Sequence, residues 1–285
     1  MSLRIDRLAT LYVADPLRRC GLSSQGSIPI LMYHSIAEED ELGVHPYYRT
    51  ATATSVFASQ MESLQQAGFS VISPTEAIRR FREPESTEKS VVITFDDGFH
   101  NFYTNAFPIL NRYGFAATMY LPTAHIGQTH PRFKGKECLS WDEVRELQTL
   151  GISFGSHTVT HPQLHSCDTH SIKKEIAESK ETIEQELGCA VQSFAYPYAF
   201  PETDVSFKVR LREELRQAGY ENGVCTTVGR PGPASDPFFL KRLPVNSDDD
   251  SQLFRAKLAG SYDWLAKPQY LWKMAKQWVS AGSHR

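Results

Sequence analysis

Short apolar runs recur along the chain, each followed by a longer segment whose apolar residues fall at helical spacing. The runs Ile28 to Tyr33, Phe69 to Ile72, Ser90 to Thr94, Ala116 to Leu121, Ile152 to Gly155, Gln192 to Tyr196, Gly223 to Thr227 and Phe238 to Leu243 read as buried strands. A helix is predicted from about Ser55, with Phe57, Met61 and Leu64 on one face and Gly68 past its end. Further helices are predicted over 74–81, 101–113, 140–150, 169–187, 204–218, 251–259 and 268–280. Gly114 and Gly219 stop two of them, and Ser140 with Glu143 makes a capping box for a third. Residues 36–53 and 123–138 read as loops, the second bearing Gly, His and Pro.

Strand and helix thus alternate seven or eight times with short connections, a pattern that favours a parallel sheet, closed as a barrel or open and doubly wound. Residues 1–27 read as an N-terminal arm, in which Leu3, Ile5, Leu8, Leu11 and Tyr12 recur at roughly helical spacing until Pro16 ends the pattern. No strong linker follows residue 27, so 28–250 is one domain, and 251–285 is a C-terminal helical extension packed on it.

Composition narrows the class without changing this picture. An apolar fraction of 41% and a charged fraction of 22% fit a soluble globular protein, and a net charge of −3 gives no reason to expect nucleic acid. The five cysteines are scattered and odd in number, with no C-x-x-C pair, and read as mostly reduced thiols. No stretch approaches the roughly 20 apolar residues of a membrane span. The apolar run Leu8 to Ala14 carries no small-residue cleavage pattern, so the expected location is cytoplasmic. The stretch Tyr262-Asp263-Trp264 to Lys273-Met274 to Trp278 mixes Trp, Tyr and Lys, as an interfacial helix on the inner face of a membrane would, although packing against the barrel is the favoured reading.

The chemistry gathers at predicted strand ends, where catalytic groups of parallel α/β folds lie. Thr94-Phe95-Asp96-Asp97-Gly98 delivers two adjacent carboxylates, and two acids buried side by side need a cation or a reaction between them. Taken alone, the stretch also fits a surface turn capping the next helix. His157 and His161, four apart, place both imidazoles on one side of a helical turn or tight loop. With Asp97 they make two nitrogen ligands and one oxygen ligand, a three-ligand set that leaves a position open at a catalytic metal. One divalent ion is expected, Zn2+ by default, with Co2+, Ni2+ or Mn2+ as alternatives. Asp96 is the base beside this ion. Tyr196-Pro197-Tyr198 breaks a strand and frees the Tyr198 N–H to stabilise an oxyanion. His34, at another strand end, is the best-placed acid, while a structural histidine remains the alternative. His165 and His170 read as surface residues.

Thr94 to Gly98, Ser156-His157 with His161, and Phe194-Ala195-Tyr196-Pro197-Tyr198 resemble the motifs of the polysaccharide deacetylases, the carbohydrate esterase group with the NodB-type homology domain. The resemblance runs from Leu31-Met32-Tyr33-His34 to about Val245. It implies a deformed (β/α) barrel of about seven parallel strands and metal-dependent removal of N-acetyl groups from sugars. It implies Asp96 as base, Asp97, His157 and His161 as metal ligands, and the Tyr198 N–H as oxyanion donor. Two departures stand out. Ala195 occupies a position where many members carry an arginine that orients the base, and Arg242 is the candidate replacement. The late segment Leu240 to Val245 lacks the Leu-x-His histidine that many members use as acid. Met32-Tyr33-His34 resembles the early Tyr-His motif of the poly-N-acetylglucosamine deacetylase-like subgroup, which assigns that role to His34.

The expected partner is an N-acetylated sugar, an oligosaccharide or a lipid-linked glycan, with Tyr47, Tyr48, Phe99, Trp141 and Tyr198 as aromatic faces of which most have a core reading too. Three rivals remain on sequence: an O-acetyl esterase, a glycan-binding barrel without turnover, and a two-histidine, one-carboxylate iron oxygenase, against which Asp96 and the alternation of strands and helices argue.

Overall fold

The computed structural model describes residues 4–20, 26–39, 41–83, 87–271 and 274. Seven strands form its centre: β1 (Ile30–Tyr33), β2 (Ser90–Phe95), β3 (Thr118–Leu121), β4 (Ser153–Ser156), β5 (Ser193–Ala195), β6 (Asn222–Val228) and β7 (Leu240–Pro244). Each pairs in parallel with the next, and β7 pairs with β1, so the ring closes in chain order. The barrel is deformed. Four residue pairs join β1 to β2, but only Phe194 and Ser156 join β5 to β4, and the β6–β7 register shifts between Val224 and Val228. The short strand Ser70–Val71 pairs with Ser90 and Val91 of β2, below the point where β1 begins to pair, and so stays outside the ring.

Alternation along the strands makes two cores. Ile30, Val92, Tyr120, Ala195, Val224 and Leu240 pack together inside the barrel. Their neighbours Leu31, Ile93, Met119, Leu121, Phe194 and Cys225 belong to the larger core beneath the surrounding helices. The interior also holds polar groups that satisfy one another. The Tyr120 hydroxyl pairs with Ser193 Oγ at 2.7 Å, Ser193 Oγ donates to Asn222 Oδ1 at 2.6 Å, and Asn222 Nδ2 donates to Thr75 Oγ1 at 3.0 Å.

The helices follow their caps. Ser140 and Glu143 form the expected reciprocal box on Trp141–Thr149. Thr169–Leu187 begins at Asp168, whose carboxylate accepts from Ser171 N–H at 2.7 Å, and ends at Gly188 with φ 66°. Pro16 does not end the first helical path: Ile5–Ala9 runs through a wider π turn at Thr10–Ala14 into Asp15–Arg19. Pro16 sits in the first turn of that last piece, directly after the π turn, and the helical path continues through it. The segment read as a loop over 123–138 contains a two-stranded hairpin, Arg132–Phe133 with Lys136–Glu137.

The N-terminal helices pack on the C-terminal segment. Tyr262 Oη donates to Asp6 Oδ2 at 2.6 Å, Trp264 Nε1 to Thr10 Oγ1 at 3.0 Å, and Ser261 Oγ to Asp15 Oδ1 at 2.7 Å. Among the described residues no helix is long and apolar enough to cross a membrane. Lys273 and Trp278 of the interfacial-helix reading, and most of 268–280, lie outside the described residues.

Gly155 marks a tight approach across the wall. A Cβ there would stand 2.6 Å from the Tyr120 ring and 2.7 Å from the Ser193 carbonyl oxygen. Gly155→Ala is expected to lose about 1–3 kcal/mol of stability through overpacking, read as a lower urea midpoint at constant m value. An unchanged midpoint contradicts this packing.

Candidate active site and metal centre

The strand ends converge. His34 follows β1, Asp96 and Asp97 follow β2, His157 follows β4, and Tyr198 lies three residues past β5. The Asp96 N–H is held by the Tyr33 carbonyl at 3.0 Å, and the backbone then turns sharply, with φ 73° at Asp97 and 63° at Gly98. A Cβ at Gly98 would meet Ile126 Cδ1 at 2.8 Å, so glycine is needed both for the turn and for the space.

The turn separates the two acids. Asp96 receives Arg242 in a two-pronged pair, Nη1 to Oδ1 and Nη2 to Oδ2, both at 2.7 Å. Arg242 is fully buried and uses its other donors on the Cys225 carbonyl, at 3.1 Å, and Thr94 Oγ1, at 3.2 Å. Burial pushes the Asp96 carboxyl up, but the Arg242 guanidinium outweighs it and holds the group at about 2. Arg242 reaches Asp96 from β7, while the small Ala195, buried on β5, offers only its carbonyl to the site.

Asp97 faces the histidines. His161 Nε2 is 3.2 Å and His157 Nε2 3.8 Å from Asp97 Oδ1, and one donor atom from each residue lies within 4.8 Å of the others. His157 Nδ1 bonds to the Ala195 carbonyl at 2.8 Å, which turns Nε2 and its lone pair toward Asp97. Burial, against the pull of Asp96, pushes His157 down to about 3, so its imidazole is neutral and available as a ligand. The carboxylate has drawn the ammonium of Lys134, at 2.9 and 3.1 Å, from the partly exposed tip of the hairpin. His161 Nδ1 is buried without a hydrogen-bond partner among the described residues. Two imidazole nitrogens, a buried carboxylate and that demand for positive charge fit a divalent ion of the Zn2+ class.

His157 and His161 meet through a strained loop, not a helix. Six non-glycine described residues have positive φ, and Asp97, Lys134, Thr158, His161 and Tyr198 are five of them, all at this site. The loop is pinned from the long helix: Glu175 accepts from Val159 N–H at 2.7 Å, Thr160 N–H at 2.9 Å and Thr160 Oγ1 at 2.7 Å. His34 Nε2 lies 3.9 Å from Asp96 Oδ2, and burial lowers its pKa. The Tyr198 ring packs edge-on against His161 with centroids 4.6 Å apart, and none of the hydrogen bonds among the described residues uses its N–H. His165 and His170 are exposed, while Phe99 and Trp141 are core.

Glu175, Lys134 and Phe133 escape a reading by motif. Phe133 packs against His125 and His161, with centroids 4.1 and 5.2 Å away. The signal that finds Lys134 is the Lys134-Gly135 turn between short flanking strands.

A closed parallel barrel whose strand ends bring an oriented carboxylate beside a two-histidine, one-carboxylate pocket is the architecture of a hydrolase. Residues 83–223 match the family model described as polysaccharide deacetylase, so the chain carries a polysaccharide deacetylase domain. It is 29% identical over 234 residues to YxkH of Bacillus subtilis (strain 168), which bears the polysaccharide deacetylase name, covering 80% of this chain and 75% of that protein. It is 24% identical over 251 residues to the poly-β-1,6-N-acetyl-D-glucosamine N-deacetylase of Staphylococcus aureus (strain MSSA476), covering 81% and 83%. Among solved structures, the Streptococcus pyogenes deacetylase PplD in complex with acetate superposes with a TM-score of 0.69 at 26% identity, covering 82% of this chain and 99% of that one. IcaB from Ammonifex degensii shares the fold, with a TM-score of 0.64, 24% identity, and coverage of 83% and 98%. The deformed (β/α) barrel expected from the motifs is thus the observed fold.

Arg242→Met leaves the Asp96 carboxylate buried and uncompensated, with an expected loss of about 3–5 kcal/mol. A depressed folded pKa contributes stability that is full above the unfolded value near 3.9 and lost as pH falls toward about 2. Without Arg242 the Asp96 pKa rises, so the acidic limb of the kcat/KM profile should move to higher pH. Arg242→Lys, which keeps charge but not the fork, should fall between. An unmoved limb in Arg242→Met shows that the guanidinium does not set the ionisation of Asp96.

Proposed function

We propose that the chain is a metal-dependent carbohydrate N-deacetylase in which Asp96 is the base and Asp97, His157 and His161 hold the ion. The observation that carries this reading is the division of two adjacent buried acids, one locked by Arg242 and the other turned toward two imidazoles. When bound, the ion lowers the pKa of a water and polarises the acyl oxygen. Zn2+ suits the donor set best, with Co2+, Ni2+ or Mn2+ as replacements.

The chain's own residues do the rest. Asp96, kept ionised and aimed by Arg242, takes the proton of the attacking water. The Tyr198 N–H donates to the acyl oxygen as negative charge develops there. His34 passes a proton to the leaving nitrogen. Burial favours the neutral ring, so His34 takes up a proton before it donates one. The C–O bond to water forms, the C–N bond breaks, and acetate and a free amino sugar leave.

Substrate enters beside His34 and Tyr198 through a cleft of about 1060 Å³, whose walls include His45, Tyr47, Tyr48 and Trp264. Tyr48 and Tyr198 are 68% and 46% exposed, which leaves aromatic faces for sugar rings. The Staphylococcus aureus relative is named for poly-β-1,6-N-acetyl-D-glucosamine, so oligomers of that sugar are the first substrate class to test.

Acetate release from such oligomers should stop with chelator and return with Zn2+ or Co2+. Asp96→Asn should abolish turnover with metal content retained, and Asp97→Asn should lose the metal. Persistent turnover in chelator, or in Asp96→Asn, overturns the reading. His34→Ala should lower kcat on the amide by about 10²–10⁴-fold while sparing an acetyl ester with a good leaving group. Equal losses on both substrates would remove His34 from the acid role, and a preference for sugar O-acetyl esters in the intact protein would make the chain an esterase.

A further inference from the structure

We propose that His100, His130 and Glu143 form a second divalent-metal site of the Zn2+ class, separate from the Asp97, His157 and His161 set. One donor atom from each lies within 4.8 Å of the others. His100 Nε2 is 3.0 Å from Glu143 Oε1, and His130 Nε2 is 3.0 Å from Glu143 Oε2. The two rings stand with centroids 4.2 Å apart, both aiming the same nitrogen at one carboxylate. Ligand atoms bound at about 2.0–2.2 Å around a tetrahedral ion stand roughly 3.3 Å from one another, close to this spacing. Two imidazoles and a carboxylate are also a donor set that Zn2+ accepts readily.

The carboxylate is already oriented. Glu143 closes the capping box, and its Oε2 accepts from Ser140 N–H at 2.9 Å and Ser140 Oγ at 3.2 Å. Oε1 takes no contact besides His100 among the described residues and is the natural ligand atom. The three side chains are 24%, 39% and 14% exposed, so an ion has access and still gains from partial burial.

The site joins three pieces of the fold. His100 follows the Asp96-Asp97-Gly98 turn, and its N–H donates to the Glu137 carbonyl at 2.9 Å. Glu143 is in the first turn of Trp141–Thr149. His130 lies four residues before Lys134, on the approach to the hairpin whose Phe133 and Lys134 contact His161 and Asp97. An ion here ties that hairpin to the scaffold, so the site positions one wall of the active site and takes no part in the reaction.

Metal content decides it. The full chain is stripped with chelator, loaded with Zn2+ or Co2+, desalted and counted for metal. Two ions per chain are expected in the intact protein, one in His100→Ala/His130→Ala, one in His157→Ala/His161→Ala and none in the combined variant. His130→Ala alone, a change at an exposed loop position, should also remove one ion, which keeps the result independent of how the double variant folds. In His157→Ala/His161→Ala, Zn2+ should slow amide hydrogen exchange over 128–138. One ion in the intact protein, lost in His157→Ala/His161→Ala and kept in His100→Ala/His130→Ala, overturns the proposal, as does a second ion that survives His100→Ala/His130→Ala. An ion retained in His157→Ala/His161→Ala and lost with His100 and His130 supports it even if the active-site ligand assignment fails.

Discussion

Two acids in consecutive positions, both buried, are the constraint that organises this molecule. Neither can stay ionised unless each has a positive or metal-ligating environment of its own, because like charges at close range raise one another's pKa. The backbone answers at Asp97, where φ 73° sends the second side chain away from the first. Asp96 then meets a guanidinium inside the barrel, and Asp97 meets two imidazoles and an ammonium at its mouth.

That division has consequences for the barrel wall. A guanidinium with no exposed surface is tolerable only if its donors are used, and Arg242 spends them on Asp96, Thr94 and the Cys225 carbonyl. Thr94 Oγ1 in turn donates to the Leu31 carbonyl at 2.7 Å, which links β2, β1 and β7 through one charged group. Small side chains at Gly155 and Ala195 leave room for Tyr120 and for the His157 bond to the β5 backbone. The Tyr120 ring joins this charged end to the polar network below it: the Arg242 guanidinium stands 5.9 Å from the ring centroid, and the Tyr120 hydroxyl pairs with Ser193, which bonds Asn222.

Much of this is legible in the chain, and the rest is hidden for identifiable reasons. Thr169–Leu187 and Ser251–Ala259 can be read to the residue because Asp168, Gly188, Asp250 and Gly260 punctuate them. The site residues stand out because they follow apolar runs directly. Arg242 is visible as a charge at a strand position that alternation turns inward, but only the motif resemblance, not spacing, points to its partner Asp96, 146 positions away. The hairpin at 132–137 is obscured because its flanking residues are charged and its strands are two residues long. Pro16 misleads because the helical path continues through it, directly after a π segment that periodicity does not announce. Glu175 looks like one more charge on a solvated helix, since nothing local records that it holds a loop 15 residues upstream.

The spacing of His157 and His161 illustrates the limit most clearly. Four residues suit a helical turn or a tight loop, spacing alone does not choose between them, and the observed path is the loop, with φ 70° at Thr158 and 58° at His161. A β-branched residue at positive φ is costly, on the order of 1–3 kcal/mol, and persists only when its surroundings over-determine it. Here Ser156 Oγ accepts the Thr158 N–H at 3.2 Å, Thr158 Oγ1 accepts the His161 N–H at 3.0 Å, and Glu175 holds the two residues between. Strain at Asp97, Lys134 and Tyr198 falls around the same point. A rigid barrel supplies the rim, hydrogen bonds from outside the site hold the loops in conformations they would not choose, and the donor atoms are in place before any ligand arrives. Such preorganisation is what electrostatic catalysis needs, because dipoles and charges fixed during folding require no reorganisation when the reaction begins.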